Sequence, residues 1–458
     1  MPSIRMSRRS FLAGSTAAGT MALLAACAGQ QTAPIPKAVE PASAAAPKPA
    51  APEKQAAPAS QGTITGTFWF NQPVQQDAFQ KIIDRFHQSQ SRVKMDVILV
   101  PQTEIGTKLA TAIAGGEPPD AVRLGGPAIN ALFINNKHAA ALDDFDSKIS
   151  TYDWHPDVKR MVSRDGKMYA MPVNSGVQAL IWNKDLYQKA GLDPEKPPTT
   201  LAQVLEYAAK VGASGEGRWG HYTTTAPTFQ TGGDYFPAVL WSFGGKEISE
   251  DGKTVAFNSP EGVEALQWYK DLVDKKGVPA KQINETQMLT DYLTGSVGSM
   301  AAFPALLARV SEAPFKSGSA PFPAGPKGSI APLGCGTIMV MAKSKNPTAG
   351  WEFARFIGLE PANMAFWNIS FGQLPPRQSV RDHESWKEYE AKNPLVPAYL
   401  EGQKSARLFY YGPGSQEIST EMGKAVEAVV FGQKAPKQAL DEAAKASQVI
   451  LERELKKG

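Results

Sequence analysis

The sequence predicts an α/β protein, and three observations carry that reading. From residue 63 onward, β-rich stretches alternate with amphipathic ones in the order strand, helix, strand, helix, strand, the pattern of a parallel sheet with covering helices. Hydrophobic residues make up 42% of 458, enough for a substantial core, and the length favours two domains or one large domain that has split. Two short extended segments near residue 175 then give way to a helical pattern, which marks a crossing into a second lobe.

Taken in order, residues 63–70 are β-rich and partly alternating, and they precede a helical pattern in which Phe79, Ile82, Ile83 and Phe86 share one face. Residues 93–100 form a second strand, a helix follows with Ile105, Leu109 and Ile113 in register, and residues 120–124 form a third, short strand. In parallel sheets ligands bind at the carboxyl ends of the strands, here Phe70-Asn71-Gln72, residues 101–104 and Leu124-Gly125-Gly126. Residues 168–173 and 177–182 are expected as two extended segments separated by Asn174-Ser175-Gly176. Thr200-Leu201-Ala202-Gln203 has the spacing of a capping box and starts a helix through Val211. Ser259 ahead of Pro260 and Glu261 starts another, to about Lys275, carrying Val263, Leu266, Leu272 and Val273. Residues 334–341 are β-like, 349–357 helical, and two more helices follow near 416–431 and 437–455.

The amino terminus is an address. Ser7-Arg8-Arg9-Ser10-Phe11-Leu12, a short apolar run and small residues before a cleavage point make a secretory signal over residues 1–26, and the paired arginine marks the twin-arginine route for folded proteins. The run from Phe11 to Ala26 is too short and too small to span a bilayer. Leu24-Ala25-Ala26-Cys27 resembles the lipobox of bacterial lipoproteins, which implies that the mature chain begins at an acylated Cys27. The protein is then exported and lipid-anchored on the outer face of the cytoplasmic membrane, on the periplasmic side where two membranes are present. Residues 27–62 join that anchor to the folded body. They are mostly Ala, Pro, Gln, Ser and Lys without an aromatic residue, which predicts a disordered tether.

Cleavage removes three arginines and no acid, so the net charge falls from +4 to +1 and implies neither nucleic acid nor an anionic membrane face as a partner. Acylation of Cys27 leaves Cys335 alone, with no disulfide framework and no cysteine metal site.

Several stretches together carry a family resemblance: Tyr169-Ala170-Met171-Pro172, Trp182-Asn183-Lys184-Asp185-Leu186 with Lys189-Ala190-Gly191-Leu192, Lys196-Pro197-Pro198-Thr199-Thr200, Phe257-Asn258-Ser259-Pro260-Glu261, Trp351-Glu352-Phe353-Ala354 and Gln373-Leu374-Pro375-Pro376. In order and spacing the chain resembles the extracellular solute-binding proteins of bacterial ABC importers that serve carbohydrates and glycerol phosphates. The resemblance runs from about residue 64 to the carboxyl terminus. It implies a periplasmic-binding-protein-like fold: two α/β lobes joined by a multi-segment hinge, with the ligand cleft between them. Residues 63–172 would form the N-terminal lobe, with later crossing segments, and residues 173–458 mainly the C-terminal lobe, hinge and C-terminal helices.

A sugar offers hydroxyls that need paired donors and acceptors, and CH faces that stack on aromatic rings. Aromatic and short polar residues interleave at Trp69 to Gln72, Tyr222 to Thr225, Phe229 to Phe236 and Phe409 to Tyr411, whereas Trp241 and Trp351 sit in continuous apolar faces and belong to the core. The resemblance points to Asn174 and Ser175, to the glycine-rich turn Gly334-Cys335-Gly336, and to Gln373, where glycerol-phosphate binders carry a tyrosine. Arg407 is a candidate phosphate clamp, with Tyr410 or Tyr411 as the other claimants to that position. Glu104 fits a hydroxyl acceptor or a surface salt bridge. The candidate ligand contacts are thus Trp69, Asn71, Gln72, Glu104, Gly125, Asn174, Ser175, Phe229, Asp234, Phe303, Gly334, Gly336, Gln373, Arg407, Tyr410 and Tyr411.

The rival class is a secreted glycan-active hydrolase lipoprotein. Glycosidases need two carboxylates facing one bond, and zinc enzymes need closely spaced histidines or cysteines. The five histidines, His87, His138, His155, His221 and His383, are scattered, and Asp143-Asp144-Phe145-Asp146 lacks the spacing of a calcium loop. No G-x-x-x-x-G-K loop is present to hydrolyse ATP in this subunit. The expectation is a monomeric binding protein, not an enzyme, without cofactor or metal. Its partners would be a mono- or oligosaccharide and the importer's permease subunits. Glycerol 3-phosphate or a glycerophosphodiester is the alternative ligand.

Overall fold

The computed structural model describes residues 63–71, 76–102, 104–228 and 230–456, apart from the side chains of residues 127 and 128. Gln72, Phe229 and everything before residue 63, including the signal, Cys27 and the tether, lie outside the described residues.

Two sheets organise the fold. The first has the order β12(Arg407–Leu408), β11(Pro332–Val340), β3(Ala121–Gly125), β1(Ile64–Phe70), β2(Val93–Leu99), with β6(Met171–Val177) also paired to β11. Strands β1, β2 and β3 are parallel, Phe68 lying opposite Val97 on one side and Ala121 on the other, as the strand and helix alternation predicts. The second sheet has the order β10(Ser317–Pro321), β7(Ala179–Asn183), β9(Val297–Ala302), β8(Trp219–Tyr222). A small hairpin, β4(Ser163–Arg164) with β5(Lys167–Met168), stands apart from both. The chain passes between the sheets at Gln178, again over residues 322–331, and a third time over residues 409–414, the multi-segment hinge of a two-lobed protein.

Helix Gln76–Ser89 buries Phe79, Ile82, Ile83 and Phe86 against the first sheet. There Phe79 stacks on Phe70 at a centroid distance of 4.0 Å and meets Trp367 edge-on at 6.1 Å. Aromatic pairs of this kind contribute roughly 0.5–1.5 kcal/mol each beyond their buried area. Helices Pro347–Gly358 and Pro361–Phe371 pack on the same sheet, so this late part of the chain completes the first lobe. Helices Ser415–Val430 and Pro436–Leu455 pack instead on Thr231–Tyr235 and Pro260–Asp274 in the second lobe. Gly232 permits that approach, because a Cβ there would overlap the Ser419 carbonyl. Trp241 and Trp351 are buried, as their apolar surroundings predict.

Capping follows the sequence. Thr200 Oγ1 accepts from the Gln203 amide at 3.1 Å, although the reciprocal Gln203 side chain bonds to the Thr199 amide rather than to that of Thr200. Ser259 Oγ accepts from the Gly262 amide at 3.3 Å.

Two local expectations need correction. Asn174-Ser175-Gly176 does not separate two extended segments: β6 runs straight through it, and the break falls at Gln178. Gly334-Cys335-Gly336 is not a turn but the middle of β11. Both corrections have one cause, since these segments pair antiparallel with each other, Gly334 with Gly176, Cys335 with Ser175 and Gly336 with Asn174, before a register shift at Thr337.

Candidate functional site

The carboxyl edge of the first sheet gathers polar side chains that should not be buried without partners. Asn71 follows β1 and is fully buried; Arg123, on β3, is 4% exposed, and its Nη1 donates to Asn71 Oδ1 at 2.9 Å. The Asn71 amide donates in turn to Gln102 Oε1. Gly125 lies alongside, close to both neighbours: a Cβ on it would stand 3.2 Å from Arg123 Nη1 and 3.4 Å from Gln102 Nε2. Burial lowers the Arg123 guanidinium to about 10 while the Cys335 thiol beside it is pushed well up, so the cation persists at neutral pH next to an uncharged sulfur.

The crossing strand β6 adds Asn174, whose Nδ2 donates to Gln373 Oε1 at 3.2 Å while its buried Oδ1 has no partner among the described residues. Gly336 has no side chain to obstruct this: a Cβ would overlap Asn174 Oδ1 and lie 2.8 Å from Arg123 Nη2. Ser175 behaves differently. Its hydroxyl stands 3.4 and 3.3 Å from the Leu374 and Pro375 carbonyls and accepts from Gln403 Nε2 at 2.9 Å, and Arg381 holds Gln403 from behind. The expected ligand hydroxyl contact is therefore engaged inside the hinge.

Across the crossing stands an aromatic step. Phe303 meets Tyr235 edge-on at 6.0 Å and Phe409 at 6.4 Å, and both Phe303 and Phe409 approach the open face of Gly334. Asp234 sits beside it on Thr231–Tyr235, a π-type turn of the kind that often marks functional sites. Gln178 Nε2 donates to the Asp234 carbonyl at 3.0 Å, and Gln178 Oε1 is buried without a partner among the described residues. Burial, and then the nearby Glu285, push the Asp234 carboxyl up to about 8. Glu285 is itself raised by burial and accepts from the Tyr235 hydroxyl at 3.1 Å.

The remaining candidates stand apart from this constellation. Glu104 is half exposed and pairs with Lys108 at 2.8 Å. Trp69 is half-buried in the wall of the core. Arg407 lies with its guanidinium carbon 4.9 Å from the Trp241 ring centroid, beside the buried Glu247, which accepts from Trp241 Nε1 at 2.6 Å. The Tyr410 hydroxyl donates to the Pro413 carbonyl at 2.9 Å, and Tyr411 lies under Arg164 at 5.6 Å. Two open depressions, of about 1090 Å³ around Lys184 and Phe315 and about 650 Å³ around Asn135 and Arg164, lie elsewhere on the molecule. The residues that sequence reasoning passed over are Arg123, Gln178 and Gln403, while Gln102 lies in the strand-end stretch 101–104 without having been singled out. A charged residue inside the short apolar run of β3 was the one available signal for Arg123.

Comparison with known proteins decides the family. The family model for bacterial extracellular solute-binding proteins matches residues 81–394. The chain belongs to that family. A putative binding protein of Brucella abortus (strain 2308) is 27% identical to this solute-binding protein over 387 residues, covering 82% of this chain and 90% of its own. The sn-glycerol-3-phosphate-binding periplasmic protein UgpB of Escherichia coli (strain K12) is 28% identical over 308 residues, 64% of this chain and 69% of its own. Among solved structures, the cyclic α-maltosyl-1,6-maltose binding protein of Arthrobacter globiformis superposes with a TM-score of 0.73 at 26% identity, over 86% of this chain and 100% of its own. UgpB of Mycobacterium tuberculosis, solved with glycerophosphocholine, shares the fold with a TM-score of 0.75 at 24% identity, over 86% of this chain and 100% of its own. The solute-binding protein is accordingly an exported binding subunit of an ABC importer and not an enzyme.

Proposed function

We propose that this solute-binding protein captures a polyhydroxylated solute, a mono- or oligosaccharide, between its lobes and hands it to the permease subunits of its importer. In this reading it works as a monomer held at the membrane by an acylated Cys27. The observation that carries the ligand class is unspent hydrogen-bonding capacity beside an aromatic step. Among the described residues Asn174 Oδ1 and Gln178 Oε1 are buried without partners, within the same hinge region that carries Phe303 and Phe409. Leaving such groups unmet costs about 1–3 kcal/mol each, and sugar hydroxyls meet them while the sugar's CH face packs on a ring. Closure follows if the contacts from both lobes are complete only when the lobes meet.

A second reading, glycerol 3-phosphate or a glycerophosphodiester, is favoured by one observation: Arg123 is a buried cation with no carboxylate partner among the described residues. The test for both is thermal denaturation of the mature protein against neutral sugars, glycerol 3-phosphate and glycerophosphocholine. A ligand at about 100 times its Kd stabilises by roughly 2.7 kcal/mol, so a true ligand raises the melting temperature plainly. No shift with any of them, together with hydrolysis of a glycan, would overturn the binding-protein reading of the cleft.

A further inference from the structure

The Arg123, Asn71 and Gln102 side chains form a relay whose direction is dictated by chemistry. A guanidinium only donates, so Asn71 must turn its Oδ1 toward Arg123, and the 2.9 Å bond from Nη1 shows that it does. Asn71 is then left with only its amide hydrogens for the other side, and these go to Gln102 Oε1. Gln102 in turn has its carbonyl occupied and presents Nε2–H groups beside Gly125, on a residue that is itself exposed. Asparagine and glutamine amides have no intrinsic preference for one orientation, so the fixed, donor-only end of the chain sets them all.

The charge behind the relay is unmatched. Arg123 Nε is buried without a hydrogen-bond partner, no carboxylate pairs with the guanidinium among the described residues, and the adjoining Cys335 is kept as the neutral thiol by burial. A buried cation answered only by dipoles is a poor arrangement for the empty protein and a good one for attracting an anion. Arg407, the other cation considered for this task, is instead engaged with Trp241 and Glu247.

We propose that Arg123 is a positioning residue which, through Asn71, turns the Gln102 Nε2–H donors toward the ligand and biases the site toward a solute carrying an oxyanion, a phosphate or a carboxylate. The proposal rests on the reading of the protein as an importer's binding subunit. It adds to that reading a chemical class and the residues that select it.

The experiment is calorimetric titration of the full mature chain with three probes: sn-glycerol 3-phosphate, a glucuronate-containing disaccharide and maltose. The two anionic probes separate a phosphate from a carboxylate source. Wild type should bind one of them more tightly than maltose. N71D keeps an acceptor for Arg123 and supplies a counter-charge, but it cannot donate to Gln102, so Gln102 turns over and shows its carbonyl. This variant should stay folded, and its affinity ratio of anionic to neutral probe should fall about tenfold or more. Q102M, which removes the donor without adding charge or touching Arg123, should lower the ratio likewise. The ¹⁵N side-chain amide resonances of Gln102 should move in R123M, where Asn71 and Gln102 are both intact, a signature that a purely structural role for Arg123 does not produce. Maltose binding at least as tight as both anions, with the ratio unchanged in Q102M, overturns the proposal and leaves the binding-subunit reading standing. Binding of none of the three probes, nor of any sugar in the thermal screen, removes that reading and the proposal with it.

Discussion

Asp234 makes the strongest prediction at the scale of a single residue. Its carboxyl is pushed up to about 8, first by burial and then by Glu285, whereas an unfolded aspartate titrates at about 3.9. Between those values the folded protein holds a proton that the unfolded chain has released. Stability from this group is therefore fully present below about pH 4 and is lost as the pH rises through about 8. Glu285, raised by burial, works in the same direction. An uncharged carboxamide at this position carries no such burden, so D234N should melt with wild type near pH 4 and increasingly above it as the pH approaches 8. Thermal denaturation across that range reads the gap. A gap that does not change with pH would mean that the side chain's shape, not its proton, matters. The same carboxyl, held protonated at neutral pH, can donate a hydrogen bond as well as accept one.

At the scale of an element, β11 holds the site together, because its central residues pair with the crossing strand β6 while Gly336 also faces Gly125 on β3. Gly336 lies where Asn174 Oδ1 and Arg123 Nη2 converge. Asn174 cannot simply swing aside, since its amide is bonded to Gln373. G336A should accordingly destabilise by about 1–3 kcal/mol, the usual range for an overpacked interior, and weaken ligand binding as well. Urea unfolding measures the first and calorimetry the second; loss of neither would show that β11 has slack there. This element also marks the boundary of what the sequence made legible. Strands β1 to β3 and their helices were readable because their signal is local periodicity, as with Phe79, Ile82, Ile83 and Phe86 on one face. The pairing of residues 334–336 with 174–176 was not, because it joins segments some 160 residues apart and neither carries the alternation of a strand. Glycine, serine and asparagine there suggested turns, and only the partner strand makes them extended. Asn71, Gly125, Asn174 and Gln373 were reachable as candidates from strand ends and motifs, and the structure brings them together. Arg123 was not, since a lone charge in a buried strand acquires meaning only once Asn71 and Gln102 are seen to answer it.

At the scale of the whole molecule, the question is what links hinge geometry to affinity. The third crossing, residues 409–414, leads straight into helix Ser415–Val430, which touches helix Pro127–Asn135 of the first lobe. Arg164 pins this crossing from the first lobe: its guanidinium carbon stands 5.6 Å from the Tyr411 ring centroid, and its Nε donates to Asn135 Oδ1 at 2.9 Å. Neither Arg164 nor Tyr411 belongs to the polar constellation around Asn174, so the expected effect of breaking their contact is on the arrangement of the lobes. A crossing segment absorbs the backbone rotation when lobes move, and a contact made in only one arrangement shifts the balance by no more than its own worth. A partly exposed cation–π pair is worth about 0.5–1 kcal/mol. R164A should therefore raise the Kd for the cognate solute about two- to fivefold, through the fraction of molecules in the binding-competent form. Small-angle scattering of the ligand-free variant should show a larger radius of gyration than wild type, and saturating ligand should remove the difference. An unchanged Kd together with an unchanged radius would show that Arg164 merely decorates the surface. An unchanged radius with a raised Kd would place its effect at the ligand instead.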